Sequence, residues 1–197
     1  MYDYFEGKLT NLMPTQVTVD CAGVGYALQI SLHTYSAIKD KPAGRLFAHH
    51  VVREDAQLLF GFADEDERRI FRELLNVSGV GAGTARVVLS SMTARQVRQV
   101  IAAGDVISLQ KVKGIGAKTA QRIIIDLQDK FKKGDQGNIS APFVPGAYNN
   151  GNEEALSALL TLGFSRASAE KAIQQASKSL GSTPPVEELI KGALSYL

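Results

Sequence analysis

One ten-residue stretch occurs twice in this chain. Val77-Ser78-Gly79-Val80-Gly81-Ala82-Gly83-Thr84-Ala85-Arg86 returns 35 residues later as Val112-Lys113-Gly114-Ile115-Gly116-Ala117-Lys118-Thr119-Ala120-Gln121. The valine, both glycines, the alanine after them, the threonine and the second alanine are shared. Each copy follows a short amphipathic segment, Phe71 to Leu75 or Val106 to Leu109, and precedes another, Arg86 to Leu89 or Arg122 to Leu127. The repeating unit therefore reads as helix, Gly-h-Gly hairpin, helix, with h an apolar residue. A single Gly-h-Gly is an ordinary glycine turn. A matched pair at fixed spacing is a structural module used twice.

The chemistry of the unit comes from its glycines. They permit a tight turn with positive φ and remove the Cβ atoms that would hold an incoming group away from the backbone. The next helix points unpaired N–H groups, and the positive end of its dipole, at whatever sits there. Such a site suits an anion, and phosphate above all. The candidate contact set is Gly79, Gly81, Gly83, Thr84 and Arg86 in the first copy. In the second it is Lys113, Gly114, Gly116, Lys118, Thr119 and Arg122. Contacts of this kind grip a nucleic-acid backbone without reading base edges, so binding is expected to be independent of sequence.

Charge distribution agrees with this placement. The overall net charge is only +2, but residues 63–133 carry 13 Lys/Arg against 8 Asp/Glu, a net +5. Residues 1–62 carry 5 against 6, and residues 134–197 carry 4 against 6. The basic excess belongs to the segment with the repeat, the footprint of a polyanion partner.

The remaining periodicities divide the chain. Residues 1–62 alternate with period two: Val17, Val19 and Cys21, then, after a turn at Gly23-Val24-Gly25, Tyr26, Leu28, Ile30 and Leu32. Further runs cover Leu46 to Val52 and Ala56 to Phe62. Several short strands in so short a span predict a small OB-fold barrel. Residues 63–133 switch to helical spacing through Ile70, Phe71, Leu74, Leu75, Val87, Val88, Val97, Ile101, Ile123, Ile124 and Leu127. Residues 134–152, dense in Gly, Asn, Pro and Ser, read as a flexible linker. Residues 153–197 read as three short helices. Leu156, Leu159 and Leu160 share a face of the first, Gly163 stops it, Ser165 caps the second with Ala169, Ala172 and Ile173, and Thr183-Pro184 opens the third with Leu189, Ile190 and Leu194. The fold class is α+β and multi-domain.

Other function classes find no foothold. Gly114 to Thr119 superficially suggests a phosphate loop, but the G-x-x-x-x-G-K-[ST] spacing is not met. His33, His49 and His50 have no partners at metal-ligand spacing, and the single cysteine, Cys21, reads as a small core residue. No catalytic, metal or cofactor site is therefore expected. The first residues show no basic leader and apolar run, and no stretch approaches the length of a membrane span, so a cytoplasmic, non-membrane protein is expected.

The repeat resembles the helix–hairpin–helix DNA-binding motif. Two copies behind a barrel, followed by a linker and a small three-helix domain, resemble the RuvA family, the junction-binding subunit of the bacterial branch-migration complex. Further support comes from Gly23-Val24-Gly25-Tyr26, from Val51-Val52-Arg53-Glu54-Asp55-Ala56-Gln57-Leu58-Leu59 with Gly61-Phe62, and from Leu159-Leu160-Thr161-Leu162-Gly163-Phe164. The resemblance covers essentially the whole chain. It implies a homotetramer, or an octamer of two tetramers on DNA, holding an open four-way (Holliday) junction. It implies Glu54 and Asp55 as an acidic pin at the crossover, where carboxylates repel the phosphates of a continuous duplex. It implies a UBA-like tail that docks a RuvB-type hexameric ATPase through Leu159, Leu162, Gly163, Phe164, Ile173 and Leu189. A RuvC-type resolvase is a further implied partner, and ATP and Mg²⁺ are implied only for the motor. Two positions depart from the family's pattern: Gly83 and Ala117 stand where many members carry basic residues. The first hairpin is then expected to rely on backbone N–H groups, with charge from Arg86. The alternatives are a generic duplex-binding protein and a nuclease accessory subunit.

Overall fold

A computed structural model describes residues 2–134, 151–180 and 184–197. The chain falls into two compact units, residues 1–139 and 140–197.

The first unit opens with five strands closed into a barrel, β1 (Tyr4–Met13), β2 (Gln16–Cys21), β3 (Val24–Ile30), β4 (Ala43–Val52) and β5 (Gln57–Phe62), in the order β1-β2-β3-β5-β4. All pairings are antiparallel except β3 with β5. Alternation places Phe5, Val17, Val19, Leu28, Ile30, Leu46 and Ala48 in a buried core. Closure requires glycine at one crossing: a Cβ on Gly7 would stand 2.0 Å from the Asp20 carbonyl oxygen. The β2–β3 turn differs from the expected Gly23-Val24-Gly25. It is Ala22-Gly23, both at positive φ, while Val24 and Gly25 already pair with Cys21 and Asp20 in the ladder. The Asp20 carboxylate accepts from the Gly23 N–H at 2.8 Å and favours this register.

Leu32 also departs from expectation. It does not continue the strand but opens helix α1 (Leu32–Ile38), and it is exposed. Ser31 overrides the alternating pattern by capping the helix, its Oγ accepting from the Thr34 N–H at 3.0 Å. This helix makes the crossover from β3 to β4.

Five helices complete the first unit: α2 (Glu65–Leu75), α3 (Ala82–Ser91), α4 (Ala94–Ala103), α5 (Val106–Gln110) and α6 (Ala117–Gly134). Their core is continuous with one wall of the barrel. Phe71 of α2 packs against Phe60, Phe62 and His49 at ring-centroid distances of 5.0, 4.9 and 5.5 Å. Burial there, with Arg72 and Arg68 nearby, holds His49 below the ordinary imidazole range. Polar contacts fix the same junction. Buried Arg68 donates to the Asp3 carboxylate at 2.7 Å and to the Ala48 carbonyl at 3.2 Å. Buried Glu67 accepts from the Ser31 and Thr34 hydroxyls, the latter at 2.6 Å. The barrel and the helices thus form one packed body, with Val51 and Leu58, on either side of the β4–β5 turn, packed against the helical core.

The second unit contains α7 (Gly151–Thr161), α8 (Arg166–Leu180) and α9 (Val186–Leu194) around Ala155, Leu159, Ala169, Ala172, Ile173, Ala176, Leu189 and Ala193. Gly163, at φ 95°, turns the chain after α7, and Ser165 Oγ accepts from the Ser168 N–H at 3.2 Å. Leu160 does not share the buried face with Leu159; it is exposed. The third helix begins later than expected, with Pro185 at its N-cap, and Thr183 lies outside the described residues. So do residues 135–150 of the expected linker, whose ends Gly134, Gly151 and Asn152 belong to α6 and α7.

Candidate nucleic-acid interface

The two copies of the repeat fold alike, bond for bond. Val77 N–H donates to the Leu74 carbonyl at 3.2 Å, and Val112 N–H to that of Leu109 at 3.1 Å. Val80 N–H then donates to Val77 at 3.0 Å, and Ile115 N–H to Val112 at 3.1 Å. Gly79 and Gly114 take φ 89° and 90°, a left-handed conformation that disfavours any Cβ. Val77, Val80, Val112 and Ile115 are buried and pin each hairpin to the helical core, while the glycines between them are exposed.

Each hairpin leads into a helix start whose first amides have no helical partner. Ala85 N–H donates to the Gly81 carbonyl and Ala120 N–H to that of Gly116, both at 2.9 Å. These are the first intrahelical bonds, so the amides of residues 82–84 and 117–119 have no helical partner. Gly81, the N-cap of α3, supplies no capping side chain. No heavy atom lies within 4 Å of where a Cβ would sit on Gly79, Gly83, Gly114 or Gly116. The hairpin backbones are open to an approaching group, as anion binding requires.

The side chains differ between the copies. In the second, Lys113, Lys118 and Arg122 are exposed and Thr119 is half-buried. In the first, Thr84 is half-buried, Gly83 occupies the position of Lys118, and Arg86 is half-buried. Its guanidinium donates to the Thr15 carbonyl in the β1–β2 turn at 3.2 Å, so Arg86 ties α3 to the barrel. Arg122 joins the copies: its guanidinium lies 3.3 Å from Ser78 Oγ at the tip of the first hairpin. Between them runs a groove of about 600 Å³ lined by Ser78, Gly79, Lys118, Thr119, Gln121, Arg122, Ile125 and Asp126. Sequence reasoning missed Ser78, Gln121, Ile125 and Asp126. Ser78 was visible inside the repeat, but only three-dimensional packing brings it to Arg122.

Glu54 and Asp55 are exposed in the turn between β4 and β5, which Arg53 N–H closes onto the Ala56 carbonyl at 2.8 Å. Among the described residues no three His, Cys, Asp or Glu side chains gather into a possible metal site, and no helix is long and apolar enough to cross a membrane.

Comparison with known proteins accounts for the whole arrangement. Residues 1–61 match the model of the RuvA N-terminal domain, residues 71–129 that of the SAM-like helix–hairpin–helix tandem, and residues 150–197 that of the RuvA C-terminal domain. Full-length relatives include the Holliday junction branch migration complex subunit RuvA of Christiangramia forsetii, 47% identical over 100% of both chains. Proteins of the same name from Flavobacterium psychrophilum and Bacteroides fragilis are 44% and 42% identical, again over 100% of both. The chain belongs to the RuvA family.

Family membership directs attention to the tail, where the structure separates the six expected docking residues. Leu159, Ile173 and Leu189 are buried in the core of the three-helix unit, whose surface they support. Gly163 shapes the bend after α7 and Phe164 is half-buried. Only Leu162, 60% exposed, is a large apolar surface residue, and it is accompanied by exposed Leu160, Leu194, Tyr196 and Leu197. Helical periodicity marks apolar residues but does not say which of two apolar stripes meets the core.

Proposed function

We propose that this chain grips the arms of four-way junction DNA through its paired hairpins, without sequence preference, and recruits a RuvB-type ATPase that drives branch migration. The observation that carries the reading is the pair of hairpins with matching backbone bonds, each leading into a helix start with unpaired amides, joined into one groove by Arg122 and Ser78. Its family relatives are named for the same complex. The chain itself is a non-catalytic, cytoplasmic subunit that needs no cofactor; ATP and Mg²⁺ serve the motor. It acts as a homotetramer, singly or as two tetramers on DNA, and shares the junction with a RuvC-type resolvase. Gly79, Gly81, Gly83, Thr84, Lys113, Gly114, Gly116, Lys118, Thr119 and Arg122 form the phosphate-facing surface. Glu54 and Asp55 act as the pin: carboxylates held against phosphates cost roughly 1 kcal/mol or more per close pair when partly desolvated.

Competition between a four-way junction and a linear duplex of equal length tests the reading. The junction is expected to win, and Mg²⁺ is expected to produce no cleavage of either. Glu54→Gln with Asp55→Asn is expected to narrow the preference by strengthening duplex binding. Equal affinity of the native chain for both DNAs would reduce it to a generic duplex binder, and cleavage would make it a nuclease component.

A further inference from the structure

The first hairpin lacks the lysine of the second, and the expected substitute, Arg86, is bonded to the barrel. Another cation stands in its place. The guanidinium of Arg53, at the end of β4, has its Nη2 4.0 Å from the point a Cβ would occupy on Gly81, the N-cap of α3. Arg53 is exposed and, among the described residues, has neither an ion-pair partner nor a side-chain hydrogen bond. Arg122 reaches the same hairpin at its tip, Ser78, and not at the N-cap. We infer that Arg53 is the phosphate-binding cation of the first hairpin, delivered from the barrel and standing in for the lysine that Gly83 replaces.

The assignment rests on the junction-binding reading and adds a constraint to it. A phosphodiester held at the start of α3 would lie between unpaired amides and a guanidinium, a pairing that favours Arg over Lys through its fork of donors. Arg53 is covalently continuous with Glu54 and Asp55, so the residue that attracts one phosphate and the residues that repel others share a single four-residue turn. Gripping an arm and positioning the acidic tip then become one event. The sequence alone shows Arg53 only as part of a charged tripeptide, because nothing in the spacing indicates that a residue 28 positions before Gly81 reaches it.

The test uses the full-length chain, a synthetic four-way junction and a linear duplex, with affinity measured across a salt series. Arg53→Gln is expected to keep the native thermal midpoint, since no side-chain bond is lost. It should weaken binding to both DNAs by roughly tenfold at 0.1 M salt, and lower the salt slope by about 0.9, for each phosphate contact removed. Gly83→Lys in the Arg53→Gln background should restore affinity and slope, because the position has open space around it. An unchanged slope in Arg53→Gln overturns the inference, as does a lowered slope that Gly83→Lys fails to restore. Lys118→Ala is measured in parallel. If it lowers the slope while Arg53→Gln does not, only the role of Arg53 fails; if neither does, the hairpins are not the DNA surface at all.

Discussion

Two kinds of glycine occupy each hairpin, and they carry different burdens. Gly79 and Gly114 hold φ near +90°, where any other residue is strained, whereas Gly81, Gly83 and Gly116 do not and are free of steric crowding. The first kind shapes the turn, and the second keeps side chains out of the path of a phosphate. Substitution therefore separates stability from binding. Gly114→Ala is expected to lower unfolding stability by about 1–2 kcal/mol, the cost of placing a Cβ in left-handed backbone. Gly116→Val is expected to leave the turn intact and weaken junction binding equally across DNA sequences, because its side chain stands over the open amides of α6. Paired denaturation and binding measurements on the two variants check this. Loss of stability in Gly116→Val with normal binding would reverse the two roles. The repeat alone marked both glycines of each pair, but only the dihedral angles tell them apart.

At the scale of elements, α1 and α2 meet through a carboxylate that has left water. Glu67 accepts from the hydroxyls of Ser31 and Thr34, and Thr34 Oγ1 in turn accepts from the Ala63 N–H at 3.0 Å. Burial raises the Glu67 carboxyl above its ordinary value, a shift the two hydroxyl bonds and His33 only partly oppose. A raised acid binds its proton more tightly in the folded chain than in the unfolded one. Its contribution to stability is accordingly full below the ordinary value of 4.5 and is lost as pH rises through the folded value. Glutamine does not titrate. The urea midpoint of the native chain, compared with that of Glu67→Gln, is expected to fall as pH rises above 4.5; a difference independent of pH would mean the carboxyl is not held up by burial. Neither α1 nor its bond to Glu67 was legible in the sequence. Ser31-Leu32 fits a strand by alternation, and the Ser31 hydroxyl that caps α1 also donates to a partner 36 residues away, which spacing does not show. The barrel core was legible because Val17, Val19, Leu28 and Ile30 carry their own period. β1 was not, since Gly7 and Asn11 interrupt the inward alternation of Phe5 and Leu9, and the register shifts between Thr10 and Met13.

On the scale of the whole molecule, labour divides where composition breaks. The unit of residues 1–139 holds both hairpins, the acidic turn and Arg53, while residues 140–197 form a separate unit with their own small core. The tail carries a net charge of −2 over residues 134–197, which suits it poorly to DNA and agrees with the proposed docking of a motor. Its exposed Leu162, Leu160, Leu194 and Tyr196 offer apolar contacts, whereas Leu159, Ile173 and Leu189 serve the interior. A chain ending at Asn149 is therefore expected to bind a four-way junction with native affinity and native salt dependence, yet to leave the ATPase of a RuvB-type motor unstimulated. Leu162→Asp in the full chain is expected to reproduce the motor defect while leaving the tail folded, because the residue is 60% exposed. Leu159→Asp, by contrast, should unfold the tail, as it places a charge in a site closed to solvent. Junction binding, ATPase stimulation and circular dichroism on the three chains separate the cases. Full motor stimulation by the chain ending at Asn149 would move the docking surface to the barrel or the hairpins.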